Sequence, residues 1–177
     1  MHLLHLDQPI LEINITPDRG YAFSYRGVAR EYHHSTGAKF VDPVTELNKR
    51  APAALAAESG VSSDIEVIVD DNNPIHGVTG CDRYVARAIH GFDPTNHTPN
   101  WMRRRLIRAG MRSISLAVDV TNYVMLDLGQ PMHAYDLDKI EGPIVVRRAA
   151  EGEKLTTLDG KEHDLSVEDL LITDSPD

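Results

Sequence analysis

Between Arg112 and Asp136 the chain runs through an apolar stretch that is interrupted by Asp119, Thr121, Asn122 and His133. Such groups cost free energy when buried unless each finds a hydrogen-bond partner, so they either bond locally or wall a pocket. His133 sits in Gly-Gln-Pro-Met-His-Ala-Tyr-Asp, where a proline just past a helix end imposes a stiff turn and presents an imidazole that donates or accepts a hydrogen bond near neutral pH. The local alternative is equally concrete. A histidine there can satisfy a nearby backbone group, and Thr121 and Asn122 can bond within their own helix. Asp119 fits a helix start, a partner for Arg112, or part of a polar site. Spacing alone favours the structural roles.

The elements that must position these residues follow from caps and breakers. A helix is predicted over Leu116 to Leu128, stopped by Gly129 and Pro131. Thr98-Pro99 opens an earlier helix that Gly110 closes, so the two form a pair. The first carries Arg103, Arg104, Arg105 and Arg108, with Arg112 just beyond. That cluster is enough for a few phosphate contacts on one face, or else it is a solvated amphipathic surface.

Further out, Leu11, Ile13 and Ile15 alternate as in a strand, Thr16-Pro-Asp-Arg-Gly20 signals a turn, and a helix is predicted from Phe23 to Thr36, ending at Gly37. The pattern weakens from Asp42 to Gly60, which reads as a linker with a short helix starting at Pro52. Strands are predicted at Ile65–Val69, Tyr84–His90, Ile144–Ala149 and Asp169–Asp174, with an Asp159-Gly160 turn joining two more between Leu155 and Leu165. Strands around a helix pair fit an α+β fold with mixed or antiparallel sheets rather than a regularly alternating α/β one. The last strand runs into Asp174-Ser-Pro-Asp177 with nothing to cover it, which suggests an excised fragment.

Composition narrows the classes. A chain of 177 residues with 41% hydrophobic content can bury a core in one domain and part of a second. Its net charge of −9 argues against a protein that coats nucleic acid uniformly. No apolar run approaches the about 20 residues of a membrane span, and the start lacks a signal-peptide pattern, so the expected location is the cytoplasm. The single cysteine, Cys81, reads as a small packing residue. With no CxxC or HExxH spacing, no metal is assigned. Walker, GxGxxG and GxSxG motifs are absent, and His33-His34 is placed on an exposed helix face.

Three stretches carry a family resemblance. Leu11-Glu-Ile-Asn-Ile-Thr-Pro-Asp-Arg-Gly-Tyr through Gly27-Val-Ala-Arg-Glu31 is one, departing from the family at Asp18-Arg19-Gly20-Tyr21. Arg83-Tyr-Val-Ala-Arg with Pro99-Asn-Trp-Met and Gly110-Met-Arg-Ser-Ile is another. The most specific is Val118-Asp-Val-Thr-Asn-Tyr-Val-Met-Leu-Asp-Leu-Gly-Gln-Pro-Met-His-Ala-Tyr-Asp136. Together they resemble the β subunit of bacterial phenylalanyl-tRNA synthetase, an aminoacyl-tRNA synthetase and ligase of protein biosynthesis. The match is weakest from Asp42 to Asp82. The resemblance implies that residues 1–40 correspond to the region preceding the B3/B4 editing module, 41–82 to a linker and the module's start, and 83–177 to the module itself, incomplete at its C-terminus.

The activity so implied is hydrolysis of tyrosine wrongly esterified to tRNA(Phe), with the tRNA 3′ end bound. Arg112, Thr121, Asn122 and His133 become the editing-pocket residues: Thr121, Asn122 and His133 orient the ester and a water, and Arg112 guides the tRNA end. The implied partners are tRNA(Phe) and the synthetase α subunit, in an assembly of two α and two β chains. No cofactor is implied for this stretch, ATP and Mg²⁺ being bound elsewhere in the whole enzyme. In the family a glutamate recognising the tyrosine hydroxyl follows the last strand, so the isolated chain is expected to edit weakly or not at all. Two alternatives remain: a non-catalytic RNA-binding or architectural module, and a free-standing editing-like protein.

Overall fold

A computed structural model describes residues 9–49, 61–62, 65–71 and 77–174. The chain forms two compact units, each assembled from two separate stretches: residues 1–58 with 92–134, and residues 59–91 with 135–177. Each stretch of sequence thus serves a different unit from its neighbour, whereas the segments expected from the family resemblance are contiguous.

The first unit is helical. A 3₁₀ turn, Pro17–Ala22, leads into helix α1, Tyr25–Thr36; α2 is Asn100–Arg108 and α3 is Leu116–Leu128. The Ser24 and Ser115 hydroxyls cap α1 and α3 by accepting from the N–H of Gly27 and Val118. Gly37 and Gly129 end the same two helices at φ of 73° and 82°, a conformation glycine adopts without a Cβ penalty. A Cβ at Gly27 would lie 1.9 Å from the Tyr21 carbonyl oxygen, so the absence of a side chain lets the 3₁₀ turn pack directly on α1. Met102 and Leu106, one turn apart on α2, are buried as the helix packs on α3.

The expected strand at Leu11–Ile15 does not form: residues 9–16 are without regular structure, and Leu11 is 83% exposed. Alternation describes a strand only where a neighbouring strand takes up its hydrogen bonds, and this segment has none among the described residues. Residues 43–49, read as linker, are helical. Asp42 starts that helix by accepting from the Val44 N–H at 3.0 Å, with Pro43 in the first turn, where its missing N–H costs nothing. The helix expected at Pro52 lies outside the described residues. The imidazole of His33 is half-buried, its Nδ1 2.5 Å from the Ala38 carbonyl oxygen, so the His33-His34 pair is not wholly an exposed face.

The second unit is built from small sheets. Strand β2, Val67–Asp70, pairs parallel with β4, Ile144–Arg148, and β4 pairs antiparallel with β7, Leu170–Thr173. Occupying the middle, β4 buries Ile144, Val145 and Val146 in succession, the continuous apolar run expected of a strand covered on both faces. Strands β1, Val61–Ser62, and β3, Ala88–Ile89, form a short antiparallel pair; only two residues of the longer strand expected at Tyr84–His90 are in it. Strands β5, Lys154–Thr156, and β6, Glu162–Asp164, make the expected hairpin around Asp159-Gly160, with Gly160 at φ 79°. The α+β class expected from the sequence is the one observed.

Candidate functional site

Everything singled out between residues 112 and 133 belongs to the helical unit. The most buried polar group there is Asp119, with no exposed surface. Its Oδ2 accepts from the hydroxyls of Thr98 and Ser113, both at 2.5 Å, and its Oδ1 accepts from the Ile114 N–H at 2.9 Å. Burial by itself would raise this carboxyl's pKa, but the bonds from Ser113, Thr98 and Ile114, with the charge of Arg103, outweigh it and hold the group below the ordinary carboxylate value. Asp119 therefore stays ionised while ringed mainly by neutral donors. Of the roles open to it in sequence, it takes that of a tie: it fastens the coil before α3, and Thr98 before α2, to the first turn of α3.

Thr121 and Asn122 follow on α3, both half-buried. The Thr121 hydroxyl donates to the Val118 carbonyl at 2.8 Å, the local bond open to it in sequence. Asn122 has no such bond; its carboxamide meets no hydrogen-bond partner among the described residues. Arg112 lies exposed in the coil leading into α3, and His133 lies exposed in the coil after it. The structure thus sets Thr121 and Asn122 side by side and puts Arg112 and His133 in the segments flanking their helix, which at 13 residues is about 20 Å long. A cavity of about 410 Å³ in this unit is lined by Ile13–Thr16, Arg19, Ala22, Val28 and Glu31, and none of the four candidates lines it.

A second cluster on the same helix pair escaped the sequence reading. Trp101 and Tyr123 meet edge to face, centroids 5.2 Å apart and planes at 88°. The Arg105 guanidinium lies 5.4 Å from the Trp101 ring centre and 5.8 Å from that of Tyr123, and donates to the Tyr123 hydroxyl. The spacing of Trp101 and Arg105, four apart on a helix, was legible; Tyr123 joins them only through the packing of α2 on α3. No cluster of three or more His, Cys, Asp or Glu side chains able to hold a metal ion occurs among the described residues.

In the sheet unit, Asp71 and Arg148 form a buried pair. Arg148 Nε donates to Asp71 Oδ1 at 2.6 Å, and the N–H groups of Gly80 and Cys81 donate to Oδ2 at 2.5 and 3.2 Å. The Arg148 bond is the main cause that holds the Asp71 carboxyl below its ordinary value. Cys81 contributes only its backbone N–H to this pair.

Residues 80–177 match the family model described as B3/4 domain. Over 176 residues the chain is 80% identical to the phenylalanine–tRNA ligase beta subunit of Bifidobacterium longum, a match covering 99% of this chain and 20% of that protein. Identity to the proteins of the same name from Leifsonia xyli and Streptomyces avermitilis is 53% and 50%, over 97% and 98% of this chain and 19% of each of theirs. The chain spans about a fifth of the length of the curated relatives it matches.

Proposed function

The chain belongs to the B3/4 domain family, and from that premise we propose that it is the part of a phenylalanine–tRNA ligase β subunit that hydrolyses tyrosine mistakenly esterified to tRNA(Phe). A synthetic site that is mainly apolar has limited power to reject a substrate carrying one extra hydroxyl, whereas a second site built to hydrogen-bond that hydroxyl discriminates strongly. In the reaction, water adds to the ester carbonyl, the bond to the ribose oxygen breaks, and tyrosine leaves as the free amino acid while the ribose hydroxyl regains a proton. An aminoacyl ester is reactive enough that a positioned water with general-base help suffices, without a nucleophilic side chain.

The observation that carries this reading is Asn122. Its half-buried carboxamide is unspent beside a Thr121 hydroxyl committed to its own helix, on a helix whose start is fastened by Asp119. A carboxamide held on a rigid element and offering both donor and acceptor suits the orientation of an ester and a water. Thr121 and His133 complete the polar wall in this reading, and Arg112, exposed before α3, steers the tRNA 3′ end. The partners are tRNA(Phe) and the α subunit of the ligase, and the setting is the cytoplasm; no helix among the described residues is long and apolar enough to cross a membrane. The whole ligase uses ATP and Mg²⁺. In this reading both are bound elsewhere in the whole enzyme.

The test is His133→Ala in the assembled ligase. Deacylation of Tyr-tRNA(Phe) is expected to fall about 100-fold or more, with phenylalanine charging unchanged; Asn122→Ala should act in the same direction. Unchanged deacylation in both variants would leave a non-catalytic RNA-binding role for the module.

A further inference from the structure

Asn100–Arg108 contains four arginines and no acidic residue, in a chain of net charge −9. Among the described residues, Arg103, Arg104 and Arg105 have no carboxylate within ion-pair distance, whereas Arg26, Arg147 and Arg148 each do. The same helix holds the chain's single tryptophan, and Trp101 remains 46% exposed although Tyr123 and Arg105 already contact it. An indole is costly to leave in water, and this one is braced by Tyr123 and Arg105 next to cations that have no carboxylate at ion-pair distance among the described residues.

We propose that Trp101, Arg105 and Tyr123 form a stacking platform for an unpaired RNA base, with Arg103 and Arg104 meeting the flanking phosphates. The occupant is single-stranded RNA rather than duplex. In an A-form helix the bases are stacked on one another and their faces are closed to a side chain, while an unpaired base offers a flat π surface to an aromatic ring and a guanidinium. Charge complementarity points the same way: α2 is a cationic strip on an otherwise acidic protein, which concentrates attraction for a polyanion on one face. Arg105 acts twice, holding Tyr123 by its hydroxyl and setting its guanidinium within cation–π distance of both rings. The inference rests on the RNA-acting reading above but uses residues other than Thr121, Asn122 and His133.

Because Trp101 is the chain's one tryptophan, its fluorescence reads the platform directly. Titration with a short single-stranded oligoadenylate should quench it, the apparent affinity falling as salt rises, while inorganic polyphosphate of matching charge should bind without quenching. In anisotropy measurements with labelled oligoadenylate, Trp101→Leu should weaken binding roughly 5- to 150-fold, and Trp101→Phe, which keeps a ring, should recover most of the loss. The inference is overturned if oligoadenylate does not quench, if polyphosphate quenches equally, or if Trp101→Leu binds as well as the parent. Quenching by added α subunit but not by oligoadenylate would make this a protein contact and overturn it too. Loss of deacylation in His133→Ala with no quenching by RNA sinks the platform alone; quenching with deacylation unchanged in the His133 and Asn122 variants sinks the editing reading alone.

Discussion

Asp119 in the helical unit and Asp71 in the sheet unit are both buried aspartates held ionised, and they are satisfied by different chemistry. Asp71 takes a guanidinium, Arg148, which is itself only 12% exposed, plus two backbone N–H groups. Asp119 takes two hydroxyls and one backbone N–H, with no ion pair. The consequence reaches the surface. In the sheet unit Arg147 and Arg148 are consumed internally by Glu153 and Asp71. In the helical unit the buried carboxylate takes up no guanidinium in an ion pair, and Arg103, Arg104 and Arg105 of α2 have no carboxylate within ion-pair distance among the described residues, so their charge faces an anion from outside. Where a fold spends its arginines decides whether they staple or recruit.

The sharpest way to break this contrast is to delete each carboxylate. Asp71→Ala should give the larger fall in urea midpoint, because it strands the Arg148 guanidinium in a buried position without its counter-charge. Asp119→Ala should cost about 3 kcal/mol by the same measurement, as three donors lose a charged acceptor but hydroxyls can rotate toward other partners. An equal or reversed order would show that the ion pair is not the costlier element.

Replacement by asparagine sharpens the same point with a smaller effect. Asp119→Asn should cost about 1 kcal/mol, since an amide oxygen still accepts and hydroxyls can accept from the amide nitrogen. Asp71→Asn should lower the urea midpoint more, because the new NH₂ faces the Arg148 guanidinium and backbone N–H groups, all donors.

The smallest effect is electrostatic and confined to acid. Glu153 is held at about 2, chiefly by the bonds from Arg147 and then by the Ala150 N–H, well below its ordinary value of 4.5. A carboxyl depressed in the folded state contributes stability that is fully present above its unfolded pKa and is lost as pH falls through the folded one. Stability should therefore decline between about pH 4.5 and about pH 2, and Glu153→Gln should flatten that part of the profile in a series of urea melts. A variant with the same acid slope as the parent would assign the decline to other carboxyls, such as Asp42, which Arg26 likewise holds at about 2.

Much of the helical framework was legible because its signals are local. Helical periodicity, glycines able to take positive φ and prolines that break a helix act within a few residues, so Leu116–Leu128 is predicted and observed with the same ends, and α1 differs only by two residues at its start. The hairpin around Asp159-Gly160 was legible for the same reason. The strand at Leu11–Ile15 was not determined by its own alternation, since strand structure needs a partner to take up its hydrogen bonds.

What the site residues do with their polar atoms depended on distance along the chain. Thr121 bonds three residues back, within reach of a sequence argument. Asp119 bonds Thr98, 21 residues away, Arg105 meets Tyr123 18 residues away, and Arg148 meets Asp71 77 residues away. The sequence alone determined the residue types, the glycine helix stops and the helix pair. Only the tertiary structure decided that Asp119 is a buried tie rather than a partner for Arg112, and that Trp101 faces Tyr123. Which acceptor lies within about 3 Å of which donor is set by how separate segments pack, and no local periodicity encodes it.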